Sequence, residues 1–275
     1  MRILNAFRFI LRTQRPQVQL NPSHIFQPLI TESCADLLEI DFNFHKTNSS
    51  YFSDLDVSRS HLVCTLFAEG IAKMRGGTEA YTGSKQPPFG LALGGVSCNF
   101  RKEIAPYQKY ELWSRILCWD QKWIYIVTHF VNRDAEHSMP SSLYSPPSDM
   151  ERDTSGRAGI ASVNEVPFAT AISKCVFKSG RQTISPATML QMSGLLPSDT
   201  KREEQSDEKL SWVEERRSQG LDILNSPFSE RQSTLEAIFA RKSGEILGRH
   251  TDGNGTVGVV CTLLQLAGLK TSQVL

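Results

Sequence analysis

The chain carries no acidic residue before Glu32, no two cysteines at metal-binding or redox spacing, and no apolar run long enough to cross a bilayer. Each absence removes a class of protein. The six cysteines (Cys34, Cys64, Cys98, Cys118, Cys175 and Cys261) are widely scattered, with no CxxC pair and no paired-histidine spacing, so nothing suggests a metal site. A reducing, intracellular and cytoplasmic setting is the expectation. With 30 basic and 29 acidic residues the net charge is +1, which argues against a nucleic-acid partner held by a broad basic surface.

The acid-free N-terminal stretch alternates Arg2, Arg8, Arg12 and Arg15 with Ile3, Leu4, Phe7, Ile10 and Leu11 at helical intervals. Arg8 and Arg12 interrupt it well short of the roughly 20 apolar residues that a span requires, and it lacks the apolar core of a secretory signal. Three readings stay open: contact with a membrane surface through residues 1–15, an organelle transit peptide, or a basic helical leader without targeting function.

What is present is enough apolar residue, 40% of 275, for a sizeable core. That length suits one domain of roughly 150 to 200 residues plus appendages. Cys34–Ile40 reads as a strand, and Tyr51–Lys73 carries apolar residues at helical spacing. A turn rich in Gly and Pro from Gly76 to Pro88 leads to three strand-like runs, Gly90–Lys102, Tyr107–Cys118 and Lys122–Asn132, separated by short breaks that suit antiparallel neighbours. Asp134–Pro167, rich in Ser, Pro and charge, reads as a mobile insertion, after which Phe168–Lys178 resumes strand character. Lys201–Arg217 is highly charged, and the periodicity beyond it suggests helices. One long helix followed by an antiparallel meander predicts an α+β domain whose sheet wraps that helix, and does not suit a parallel nucleotide-binding fold.

Two motifs carry less than their letters promise. Gly253–Gly258 satisfies GxGxxG but has no βαβ unit around it, and Gly95–Asn99 approaches GxSxG but ends in Asn and lacks the following helix. The densest chemistry lies instead in Asp41–Tyr51, DFNFHKTNSSY, where a carboxylate, a carboxamide and an imidazole stand on alternate positions just before a helix start. Backbone N–H groups at a helix start can polarise a carbonyl oxygen that these side chains also reach.

The pattern Asp41-x-Asn43-x-His45-x-x-Asn48-x-x-Tyr51 resembles the D-x-N-x-H-x-N-N-x-x-Y signature of hotdog-fold acyl-CoA and acyl-carrier-protein thioesterases. Ser53–Arg59, SDLDVSR, is similar to the thioesterase-superfamily-member-six-like group, whose fungal relatives accompany polyketide or lipopeptide pathways. The resemblance covers about Phe26 to Pro197. It implies a hotdog domain over 26–197, flanked by the leader (1–25) and a charged, mainly helical extension (198–275). It also implies hydrolysis of an acyl-CoA or acyl-carrier-protein thioester without a cofactor, in a homodimer with sites near the interface. Asp41, Asn43 and His45 are then the catalytic candidates, with Asn48, Ser49, Ser50 and Tyr51 binding substrate. Asp41 or His45 would serve as the base, the sequence ranking neither above the other. Two letters depart from the pattern: Thr47 replaces the first Asn of the usual pair, and Lys46 fills a position that is usually apolar. The further Cys or Glu used by the acyl-carrier-protein enzymes has no evident counterpart. Acyl transfer through the same site, or acyl binding without catalysis, are the competing readings.

Plainer roles compete residue by residue. Asp and Asn before a helix commonly form caps or turns, and a lone His is more often structural than catalytic. Arg59, on the apolar stripe of the helix, is expected to pair with Asp56 or Asp54 rather than to meet substrate. Lys174, Lys178 and Arg181 read either as a contact for a coenzyme A phosphate or an acidic carrier, or as a solvated sheet edge. Tyr51, Phe52, Phe67 and Phe100 suit an acyl tunnel and ordinary core packing equally.

Overall fold

The computed structural model describes residues 19–74, 89–133, 166–197, 207–240 and 246–251, with the single residues Ala6, Leu143, Val260 and Leu263. The leader up to residue 18, the Gly/Pro-rich turn, nearly all of the 134–167 insertion and the GxGxxG segment therefore lie outside the described residues.

A run of 19 residues without Gly or Pro, Asn48–Leu66, forms helix α1. A turn at Phe67 separates it from α2, Ala68–Met74, so the long helical run of the sequence divides in two. Helix α1 lies against a seven-stranded sheet ordered β2-β5-β4-β3-β1-β7, with β6 added to β5. Its strands are β1 (Leu29–Cys34), β2 (Phe89–Phe100), β3 (Lys109–Trp119), β4 (Ile124–Asn132), β5 (Ala169–Ser179), β6 (Gln182–Ile184) and β7 (Gly248–Thr251). All pairings are antiparallel except β1 with β7. This is the helix-wrapping α+β arrangement of the hotdog fold.

Local chemistry sets the turns. Asp120 closes the β3–β4 hairpin, its Oδ1 accepting from the backbone N–H groups of Lys122 and Trp123 at 2.7 and 2.6 Å. Gly180, with φ 57°, supplies the left-handed residue between β5 and β6.

Strand alternation divides the core into two layers. On the inner face, Leu62, Leu66 and Phe67 pack with Ile116, Ile126 and Phe177 around the far end of α1, while Tyr51 and Leu55 pack with Tyr110, Leu112 and Phe130 near its start. Between these clusters runs a buried chain of hydroxyls: Thr31 to Ser58 at 2.7 Å, Ser58 to Ser114 at 2.8 Å, and Ser114 to Thr128 at 2.7 Å. The outer face is covered by the C-terminal extension. Its helices, α4 (Asp207–Asn225) and α5 (Phe228–Ala240), follow the short α3 (Pro186–Met192). Leu235 packs on Leu117 and Val127, and Phe239 on Trp113 and Val131. Helix α4 approaches β3 so closely that a Cβ at Gly220 would collide with the carbonyl oxygen of Leu117. The expected helical tail is present, with one addition: β7 completes the sheet beside β1, held by Arg249 on Glu111.

One sequence expectation is corrected. Cys34–Ile40 is not a strand; β1 ends at Cys34, and Leu37–Glu39 is a 3-10 turn. The N–H groups of Glu39 and Ile40 donate back to Asp36 and Leu37, leaving Leu37 and Leu38 exposed rather than alternating between two sheet faces.

Candidate active site

The segment 40–47 folds back on itself between the 3-10 turn and α1, with an isolated bridge joining Ile40 to Lys46. The Asp41 N–H donates to the His45 carbonyl at 3.0 Å, and the Phe44 N–H donates to the Asp41 carbonyl at 3.1 Å. Asp41 Oδ1 accepts from the Asn43 N–H at 2.8 Å, the turn-forming role expected of an Asp here. Phe44 takes φ 62°, a left-handed conformation costing a non-glycine residue about 1–2 kcal/mol. Tightness at this turn brings the His45 ring over the Asp41 carboxylate, Nδ1 standing 3.6 Å from Oδ2. The other ring nitrogen, Nε2, stands 3.7 Å from Oε1 of Glu103 in the β2–β3 connection.

A cleft of about 200 Å³ opens beside this ring, lined by His45, Lys46, Asn48, Tyr51 and the segment Phe100–Glu103. Of the sequence candidates, His45, Asn48 and Tyr51 line it. Asp41 touches it only through His45. Asn43 is exposed at the tip of the turn, Ser49 is exposed on the first turn of α1, and Ser50 donates its hydroxyl to the Thr47 carbonyl at 2.8 Å. Thr47 is the N-cap of α1 but makes no side-chain cap, so its hydroxyl takes none of the helix's first-turn N–H groups. The Ser50 N–H donates instead to the Thr47 carbonyl at 3.0 Å, and of the two residues before it Asn48 lines the cleft.

Beneath the cleft the chemistry is ionic. The Lys46 ammonium, wholly buried, pairs with Glu39 and, at 3.0 Å, with Asp54, whose side chain is equally buried. Tyr110 donates its hydroxyl to the same Asp54 oxygen at 2.6 Å. The ammonium also faces the rings of Tyr51 and Tyr110, 5.6 and 5.4 Å from their centroids. Burial, aided by Asp54, pushes the phenols of both tyrosines above their usual range, so they stay protonated. Cys98, packed against this cluster from β2, has its thiol pushed up to about 12 by burial, which leaves it no thiolate for nucleophilic work near neutrality.

Glu103 and the Lys46–Asp54–Tyr110 network were not visible in the sequence, because each depends on a contact between distant segments. Lys46 drew notice only as a departure from the signature. Arg59 pairs with Asp56 and donates to Ser173, as expected, and Asp54 is thereby left to Lys46. Lys174 lies over the rings of Trp123 and Tyr125, and Lys178 donates to Thr183; neither lines the cleft. Phe100 and Tyr51 meet edge to face at 5.0 Å as one wall of the cleft, whereas Phe67 belongs to the far core with Phe177. Gly95–Asn99 runs along β2 in register with β5, so no nucleophile elbow exists there.

A helix wrapped by an antiparallel sheet, with a polar turn delivered to the helix's N-terminus, defines the hotdog class. Comparison of sequences gives the family. The profile of the Thioesterase-like superfamily matches residues 36–191. Thioesterase poxG of Penicillium oxalicum is 38% identical over 206 residues, covering 72% of this chain and 66% of its own length. Probable thioesterase atnL of Emericella nidulans is 34% identical over 245 residues, covering 83% and 76%. Probable thioesterase YBR096W of Saccharomyces cerevisiae is 32% identical over 179 residues, covering 65% and 60%. The match thus spans about two thirds of the length of the Penicillium relative. The chain belongs to the Thioesterase-like superfamily.

Proposed function

We propose that this protein hydrolyses an acyl thioester of coenzyme A or of an acyl-carrier protein. The observation that carries this reading is His45, set between the Asp41 carboxylate and a cleft whose floor is the N-terminus of α1. In this reading the proton sits on Nδ1, 3.6 Å from Asp41, and the attacking water donates one hydrogen to Nε2 and the other to Glu103, whose carboxylate stands 3.7 Å from that nitrogen. Nε2 takes a proton from water as the water oxygen attacks the thioester carbonyl. Negative charge developing on the carbonyl oxygen meets the first-turn N–H groups of Asn48 and Ser49, aided by the helix dipole. The tetrahedral intermediate then expels the thiolate, which takes the proton back from the imidazolium, leaving acid and thiol. In this scheme His45 is the base and Asp41 its orienting partner. Asn43, exposed at the tip of the turn, would reach the incoming carbonyl or water only from outside the cleft.

The hotdog unit is taken as 26–197, with 198–275 as an extension of it. Homodimer formation is supported by β2, a 12-residue edge strand that bears exposed Leu93 and Phe100. Exposed Leu38, Phe42 and Phe44 beside the site add apolar surface that a second copy can cover. Among the described residues no helix is long and apolar enough to cross a membrane, and a cytoplasmic site of action remains our reading. A role in polyketide or lipopeptide biosynthesis belongs to the same reading and rests on the resemblance of Ser53–Arg59 to the thioesterase-superfamily-member-six-like group.

The test is thiol release from acyl-CoA esters of graded length and from acylated carrier protein. His45→Ala should lower kcat about 10²–10⁴-fold without loss of folding, and Asp41→Asn should lower it less. Unchanged turnover in both variants would sink the assignment, and an acylated acceptor in place of free acid would replace hydrolysis by transfer.

A further inference from the structure

We propose that Lys46 is the positioning residue of this site: its buried ammonium clasps the turn carrying His45 to the start of α1, while its backbone N–H ties the same turn to the β2–β3 connection. The inference rests on the hydrolysis reading for its catalytic consequence. The segments are the turn carrying His45, the start of α1 carrying Asn48 and Tyr51, and the β2–β3 connection carrying Glu103. Lys46 touches all three. Its backbone N–H donates to the Ile104 carbonyl at 2.9 Å, one residue from Glu103. Its ammonium pairs with Asp54, one turn into α1 beyond Tyr51, and with Glu39 of the 3-10 turn. The next residue, Thr47, donates its N–H to the Glu39 carbonyl at 2.7 Å, closing the loop at the N-cap of α1.

The chemistry of the clasp explains why a lysine stands where an apolar residue is usual in the signature. An apolar side chain would fill the space and ask for no particular position of its neighbours. A buried ammonium is tolerated only where carboxylates meet it, so it fixes the turn against the helix in one register. Both carboxylates are present, Tyr110 satisfies Asp54 from the opposite strand, and two ring faces cover the remaining sides of the ammonium. His45 and Thr47, immediately flanking Lys46, therefore inherit their positions from it: the base on one side, the helix start that receives the oxyanion on the other.

The decisive variant is Lys46→Met combined with Asp54→Asn. It restores an apolar residue and removes the charge that Lys46→Met alone would leave buried. A purely structural lysine predicts that this pair behaves as wild type. Positioning predicts a melting temperature near wild type and an unchanged KM, with kcat lowered about a hundredfold because the base and the amides are no longer held together. It also predicts an altered titration of the His45 ring, followed by NMR on protein labelled with ¹³C at histidine Cε1. Wild-type kcat together with an unmoved His45 titration would overturn the proposal. Should the double variant fold poorly, Glu39→Ala removes one arm from a partly exposed position. It should lower kcat about tenfold and move the same resonance, and no change in either measurement would again overturn the proposal. Failure of the wild type to release thiol from any acyl-CoA ester or acylated carrier would refute hydrolysis, while the His45 titration would still decide whether Lys46 positions the ring.

Discussion

Both halves of α1 bury side chains in the core, the first among ion-paired and aromatic groups as well as Leu55, the second mainly among apolar ones. Its first half buries Tyr51 and Asp54, tied by a ring contact, an ion pair and a hydrogen bond to other segments. Its second half buries Leu62, Val63 and Leu66 in a cluster of apolar side chains. The hydroxyl chain through Ser58 marks the border. Apolar packing at one end is non-directional and accepts small shifts; ion pairs at the other end require particular partners in particular places. The half that would be the poorer choice for stability alone is the half that carries the cleft.

This contrast can be broken at three points, in descending order of effect. Leu62→Ala should cost about 2–5 kcal/mol of stability through the cavity it leaves, with turnover per folded molecule unchanged. Denaturant melts paired with thiol release would measure both, and a large loss of kcat at constant folding would erase the distinction between the halves. Ser58→Ala, at the border, should cost about 1–3 kcal/mol by leaving Thr31 and Ser114 each without one buried partner. A neutral result in the same melts would mean that the hydroxyl chain is dispensable. Cys98→Ser should change turnover by less than about twofold, since a thiol held up to about 12 takes no nucleophilic part. Its sign with pH follows: the folded state keeps a proton that the unfolded chain gives up near 9, so this group's contribution is complete below pH 9 and is lost as pH rises toward 12. Rapid alkylation of Cys98 by iodoacetamide at pH 8 in the folded protein would contradict that burial.

Much of this arrangement was legible in the letters, and what was not has physical reasons. Runs such as Lys122–Asn132 and Phe168–Lys178 fall within two residues of β4 and β5, because alternation on a sheet packed on both faces leaves a strong apolar signal. Cys34–Ile40 misled because adjacent Leu37 and Leu38 raise hydrophobicity without being buried. Strand β7, Gly248–Thr251, has no apolar alternation at all. Its place is set by distant partners, Arg249 meeting Glu111 and His250 meeting the buried His61 at 3.1 Å. At the site, the turn and the helix start were readable from local spacing, as was the pairing of Arg59. Glu103 and the clasp on Lys46 were not, because a loop some sixty residues away supplies one, and Tyr110 of β3 completes the other.

Strand β7 has one more effect. It covers the side of β1 away from β3, so among the described residues the sheet ends in a strand of only 4 residues there and in the 12-residue β2 at its other limit. A four-residue rim offers too few N–H and C=O groups to recruit another chain, whereas twelve can template one. In the proposed homodimer, joining two copies long edge to long edge would use up both templates at once. Growth by edge pairing would then stop at the proposed closed pair.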